Sequence, residues 1–250
     1  MKTSRAKVRR KIRVVNFLAE LIGATIFSLL YFVFISRYLN PAYDLDLISL
    51  GFMIGAAYFA AVYIPFHTYR IHIIPFISII RALQKRKPQI IYYKIPAQFI
   101  GAFLGTFVYL KFTALTGNPV LIADMWDFEI VHLSDVIFFN TLTVFVLCYL
   151  FYVIQLLFKN MGFMSTFFYA LVIQVVFIFT GHVAEISSLN VFGYFSIYIL
   201  EGNPGFTYGM VLNFIIHFFV PSIVAYLIYF YIRDRYVEKQ SVNRPKQVVS

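Results

Sequence analysis

Residues 74–83 read IPFISIIRAL, and residues 190–200 read NVFGYFSIYIL. Both runs are apolar, and both are too short to cross a bilayer, whose hydrocarbon takes about 20 helical residues. Each lies between two runs that are long enough. Leu47–Phe66 and Tyr92–Thr113 flank the first, and Ser165–Val183 and Tyr208–Ile232 flank the second. Val14–Ser36 and Asp135–Phe158 complete a set of six. The pattern predicts an all-α membrane protein with six transmembrane helices and two segments that enter the membrane without crossing it.

The composition requires lipid as the solvent. Of 250 residues, 61% are hydrophobic and 13% charged, and Phe and Tyr contribute 30 and 19. Soluble domains carry about 25% charged residues. A folded surface is already about 55–60% apolar, so a single soluble core cannot hide so much apolar sequence. One cysteine, Cys148, excludes a disulfide scaffold and, in mid-span, reads as a small apolar residue.

Charge sets the orientation. All but Arg37 and Lys111 of the 21 Lys and Arg fall on one side of the six spans, with seven in the first 13 residues alone. Cytoplasmic loops carry the positive excess, so both termini are expected in the cytoplasm. Asp44, Asp46, Asp124, Asp127, Glu129, Asp135, Glu185 and Glu201 fall on the other side. The net charge of +10 is then a cytoplasmic rim facing membrane lipids, not a nucleic-acid site. The basic start followed by an apolar run imitates a signal peptide. The run is too long for that, and no small-residue cleavage site follows it. The organisation expected is a basic cytoplasmic segment at 1–13, a membrane domain at 14–232 and a polar cytoplasmic tail at 233–250.

The short runs reveal a repeat. The halves, 14–113 and 135–232, each hold three spans, with the short run between the second and third. An odd number of spans inverts the second half relative to the first. Inverted repeats with interrupted helices place a pathway at their interface near the midplane. Non-helical backbone at that depth is tolerated only where protein buries it or it lines a wet cavity.

On that frame stand Ala19-Glu20-Leu21-Ile22-Gly23-Ala24-Thr25 in span one and His67-x4-His72-Ile73-Ile74-Pro75-Phe76 before the first short run. Gln98-x-x-Gly101-Ala102-x-x-Gly105 follows in span three, Ser188-Leu189-Asn190-Val191-Phe192-Gly193 at the second short run, and Pro221-x-x-Val224-Ala225 in span six. In this order they resemble the signatures of the aquaporin and glycerol-facilitator family of major intrinsic proteins, over about residues 16–232. The resemblance implies two re-entrant half-helices whose N-termini face each other, repelling cations by their dipoles. It maps the pore motifs to Ile74, Pro75 and Phe76 and to Asn190, Val191 and Phe192. The motif's Asn is replaced by Ile74 in the first half, and its Pro by Val191 in the second. The one literal Asn-Pro-Ala, Asn40-Pro41-Ala42, precedes span two, where no re-entrant helix can follow, and reads as a turn.

The same mapping puts the selectivity filter at Ile54, Ile178, Ser187 and Gly193. The family's filter Arg becomes Gly193, so the implied filter is apolar and uncharged. It assigns Glu20 to hold the loop before Pro75, near His72 and Ile73, with Asn140 as its second-half counterpart. A carboxyl inside a span is a functional candidate by default. His67, His72 and His182 lack partners at metal-ligand spacing and read as bracing or solvated groups, so no metal is expected. Gly51-x3-Gly55 and Gly101-x3-Gly105 read as close helix contacts within the first half. Tyr38, Tyr43, Tyr92 and Tyr93 suit an aromatic belt.

The function implied is a passive channel for water or small uncharged solutes, without cofactor and not an enzyme. Family likeness implies a homotetramer in the plasma membrane. The alternative is a non-conducting relative with a structural or interaction role, which the eroded motifs favour. A coupled transporter fits less well, because apart from Glu20 the spans contain no interior ion-pair or proton-relay array. A membrane enzyme fits less well still, because no nucleophile–base or metal set is visible.

Overall fold

The structure is a computed structural model that describes residues 2–66, 71–84, 87–116, 133–158, 162–181 and 188–200, with the single positions 223, 224 and 227. Every regular element among them is helical. The seven α-helices are α1 (Lys2–Leu39), α2 (Leu47–Phe66), α3 (Pro75–Gln84), α4 (Gln89–Thr116), α5 (Leu133–Leu157), α6 (Gly162–Gly181) and α7 (Val191–Leu200). Four stretches are long and apolar enough to cross a membrane: Arg13–Leu39, Leu47–Pro65, Gln89–Thr116 and Gly162–Phe179. In α5, of 25 residues, Thr141–Phe151 is a shorter apolar stretch. These helices support a multi-pass membrane protein. The sixth span expected at Tyr208–Ile232 lies outside the described residues, apart from helical backbone at 223, 224 and 227.

Local chemistry explains the boundaries. α1 begins well before the apolar run, because its Lys, Arg and Ala are good helix formers and no breaker intervenes. At 38 residues it is about 57 Å long, nearly twice the hydrocarbon thickness. It ends where Asn40 precedes Pro41, a position that excludes helical backbone; Asn40 is extended at φ −87°, ψ 112°. The Asn40 side chain then accepts from Ala42 N at 3.0 Å, so Asn40-Pro41-Ala42 is a 3-10 turn, closed by left-handed Asp44. Asp46 caps α2 through the Ser49 N–H at 2.7 Å. Pro75 opens α3 at the position where no N–H is needed.

α1 packs against α4 and α2, α2 against α6, and α6 against α5. Both ten-residue helices, α3 and α7, lie on α4, and α3 also reaches α5. Ile79 of α3 joins Val191 and Phe192 of α7 in one small apolar cluster built on Ile95, Phe99 and Ala102 of α4.

Glycines set the close approaches. A Cβ at Gly101 or Gly105 would run into the α1 carbonyls of Leu21 or Thr25, so α1 and α4 touch backbone to backbone there. Gly51 and Gly55 behave differently from the sequence expectation of contacts within the first half. They face α6, where added Cβ atoms would meet Ile178 Cδ1 at 2.9 Å and the Ala170 carbonyl at 2.9 Å. The first half thus grips the second through this pair.

Candidate functional site

Two polar rungs cross between α1 and α4, each tied to the start of a short helix. The first is centred on Glu20, which has no exposed surface. Its Oε1 accepts the backbone N–H of His72 at 2.8 Å and pairs with the buried Lys94 ammonium. Its Oε2 accepts from Gln98 Nε2 at 2.9 Å. The Gln98 amide also meets the His72 carbonyl and, at 2.8 Å, the Ser78 hydroxyl, which donates to the same carbonyl at 3.0 Å. Three elements therefore fix one residue of backbone: His72 is held by α1 through its N–H, and by α3 and α4 through its carbonyl. An isolated buried carboxylate is costly; here the ammonium neutralises it and an N–H group donates to each of its oxygens.

The second rung lies eight residues further along both helices. Ser28 of α1 meets Asn190, with its hydroxyl 3.2 Å from Oδ1 and 3.1 Å from Nδ2. Thr106 of α4 stands 3.5 Å from Ser28 Oγ and 3.4 Å from the Gly193 carbonyl. A Cβ at Gly193 would fall 2.5 Å from both Asn190 Nδ2 and Ser28 Oγ. Gly193 is glycine because α7 seats on α1 at that point.

A chain of aromatic rings crosses the bundle. Tyr194 of α7 contacts Tyr31 of α1 at a 5.9 Å centroid distance, with the two hydroxyls 3.3 Å apart. Tyr31 leads to Phe27 (5.7 Å), and Phe27 to Tyr58 of α2 (6.1 Å). Tyr58 meets Tyr169 of α6 at 5.5 Å, and Tyr169 meets Phe151 of α5 at 5.0 Å. The chain ends where Phe151 takes the His72 ring edge-on at 5.3 Å. It joins the start of α7 to the loop before α3 through four long helices.

The pore-motif positions are all interior. Ile74, Phe76, Val191 and Phe192 are buried, and the Asn190 amide is spent on Ser28. Ile74 occupies the cap position without a capping side chain; its carbonyl accepts from Ile77 N at 3.2 Å. Among the filter positions, Ile54 is fully buried on α2, and Ile178 lies over Gly51, one turn away. An added Cβ at Gly193 would point into Ser28 and Asn190. Ser187, His67, His182 and the side chain of Asn140 lie outside the described residues. Cys148 is a buried, free thiol.

The structure brings Glu20 and His72 together and adds Lys94, Gln98, Ser78, Ser28 and Thr106, which sequence reasoning did not assign. Lys94 counted there as a cytoplasmic cation; Glu20 does have an ionic partner within the spans, which removes one argument against coupled transport. The signal was present as paired spacing: Glu20 and Ser28, and Gln98 and Thr106, are polar residues eight apart inside apolar helices. No group of three His, Cys, Asp or Glu among the described residues could hold a metal ion. Comparison of the chain with protein-family models, characterised proteins and solved structures gives no match.

Proposed function

We propose that this chain is an aquaporin-like passive channel for water or small uncharged solutes, built on six spans and two re-entrant half-helices with both termini in the cytoplasm. The observation that carries the reading is the matched pair of rungs. α1 and α4 hold the starts of two ten-residue helices, Pro75–Gln84 and Val191–Leu200, at two levels about 12 Å apart. A helix too short to cross a membrane needs its exposed N-terminus fixed by protein if it is to sit inside one. Two such helices on one supporting helix suit an inverted repeat with a path between them. A homotetramer in the plasma membrane belongs to the same reading, as does an uncharged solute, since Lys94 cancels the charge of Glu20.

A second reading, a non-conducting protein of the same fold with a structural role, is favoured by one observation: Ile54, Ile74 and Phe76 are each at most 1% exposed. Stopped-flow swelling of proteoliposomes, with water and then glycerol, separates the two. Flux above that of empty liposomes supports the channel. Flux equal to empty liposomes for every solute supports the non-conducting protein.

A further inference from the structure

We propose that the corner where α1 meets the start of α4 binds one class of membrane lipid, a phospholipid whose headgroup carries a phosphate monoester, with Arg13 and Lys87 holding the phosphate. The inference is independent of the channel reading. Arg13 donates from Nη2 to the Gln89 side-chain oxygen at 2.9 Å. A guanidinium has five N–H donors in a fixed fork, so this bond orients Arg13 and leaves donors for a phosphate, which Arg meets through two parallel bonds. Lys87 stands two residues before Gln89, and its backbone is fixed on both sides. Its N–H donates to the Ala82 carbonyl of α3 at 2.9 Å, and its carbonyl accepts from Ile90 N at 3.0 Å. Arg13, Lys87 and Gln89 are all exposed. Lys2, Arg5 and Arg9 share the face of α1 that carries Arg13, at spacings of three and four. No carboxylate competes among the described residues: Glu20 is buried and paired with Lys94, and Asp44 and Asp46 lie beyond the far end of α1.

Depth makes the occupant a lipid. Arg13 begins the apolar stretch Arg13–Leu39, and Gln89 begins Gln89–Thr116. Both therefore stand where hydrocarbon gives way to headgroups. Just below, Val14, Leu18 and Ile22 are exposed along one side of α1, four residues apart, and Tyr92 is exposed on the first turn of α4. The corner thus offers cations to a headgroup and an apolar stripe to its acyl chain. Basic pockets between membrane helices bind anionic headgroups. A phosphodiester carries a single negative charge, whereas a phosphate monoester carries about −1.5 to −2 at neutral pH; two fixed cations match the monoester.

The test titrates phosphatidic acid bearing a fluorescent acyl chain into the full chain in neutral detergent micelles and reads its anisotropy. Phosphatidylglycerol with the same label supplies the phosphodiester. The proteins are wild type, Arg13→Gln/Lys87→Gln and Lys111→Gln, which removes an exposed cation near the other end of α4; gel filtration confirms that each is folded. Wild type should bind phosphatidic acid more tightly than phosphatidylglycerol. The double variant should lose at least about tenfold in affinity for phosphatidic acid, since each cation at the surface adds to anionic-lipid binding, and Lys111→Gln should bind as wild type does. If the double variant does not fold, Lys87→Gln alone is read in the same way. Equal affinity of wild type for the two lipids, or an equal loss in Lys111→Gln, overturns the site and leaves only a diffuse basic rim. Unchanged affinity in a folded double or Lys87→Gln variant overturns it as well. Two competitors test the occupant. Displacement of the labelled lipid by inorganic phosphate as readily as by unlabelled phosphatidic acid overturns the lipid in favour of free phosphate. Displacement as readily by polyglutamate overturns it in favour of an acidic protein.

Discussion

Glu20 and Ser28 lie on one face of α1, just over two turns apart, and each holds the chain at the start of a different short helix. Glu20 takes the His72 N–H ahead of α3, and Ser28 meets the Asn190 amide ahead of α7. α4 repeats the arrangement with Gln98 and Thr106. A polar group inside an apolar helix is retained at a cost unless a partner satisfies it. Here the partners belong to the segments that composition alone cannot place, which is why these four residues position α3 and α7.

The α1–α4 contact predicts a contrast between glycines. At Gly105 a Cβ meets the Thr25 carbonyl and Ser28 Cβ; at Gly162 it meets nothing within 4 Å. Gly105→Ala should destabilise by about 1–3 kcal/mol as an overpacked contact does. Gly162→Ala should leave stability unchanged or slightly raised. Thermal unfolding in detergent micelles checks the pair. Equal melting temperatures for the two variants would remove the backbone contact as the explanation.

Gly193 separates a packing position from a pore-lining one. Its added Cβ would sit 2.5 Å from Ser28 Oγ, so Gly193→Ala should lower folded yield and Gly193→Arg should abolish it. A position facing an opening would tolerate both and change only flux. Gel-filtration yield of the two variants against wild type decides between them; a normal yield for Gly193→Arg would favour the filter assignment.

Helix positions were legible because their signal is collective. Leu47–Phe66 is the same in sequence and structure, and the short runs beginning at Ile74 and Asn190 became α3 and α7 within one residue. Partner choice was less legible. Lys94 reads as a rim cation by charge counting, yet α4 begins at Gln89 and carries it inward, where Glu20 faces it. Nothing local to either residue announces the pairing, because it depends on how close α1 and α4 approach. Gly51 and Gly55 illustrate the same limit: their spacing predicts a close contact but cannot say with which helix. Gly193 was aligned by motif, and only the direction of its missing Cβ reveals that it is covered.

Asp46 gives a pH dependence outside the membrane. The Ser49 hydroxyl and, second, the Ser49 N–H hold its carboxyl below the usual carboxylate value. A depressed folded pKa means that the stabilisation is complete above the ordinary value of about 3.9 and is lost as pH falls through the folded one. Protection of the Ser49 amide, read by hydrogen exchange and corrected for intrinsic rates, should therefore drop below about pH 4. Asp46→Asn, which caps without a charge, should show no such drop. The same drop in that variant would assign the effect elsewhere.

The Glu20–Lys94 pair should show the non-additivity of a buried ion pair. Glu20→Gln leaves the Lys94 ammonium buried without its counter-charge. Lys94→Met leaves the carboxylate with only the neutral donors of His72 and Gln98. Breaking a buried pair from one side costs about 3–5 kcal/mol, whereas replacing both partners by neutral groups of similar volume is often nearly neutral. Glu20→Gln/Lys94→Met should therefore be more stable than either single variant. Glu20→Gln keeps an oxygen acceptor for the His72 N–H at position 20, so the His72 loop need not be released when both charges go. Unfolding can be followed by a thiol-reactive dye, since Cys148 is buried in the folded bundle. A coupling of at least about 0.5 kcal/mol between the two substitutions is the expected outcome for residues in direct contact. Strict additivity would mean that the two charges do not depend on each other, and that Glu20 is held by His72 and Gln98 alone.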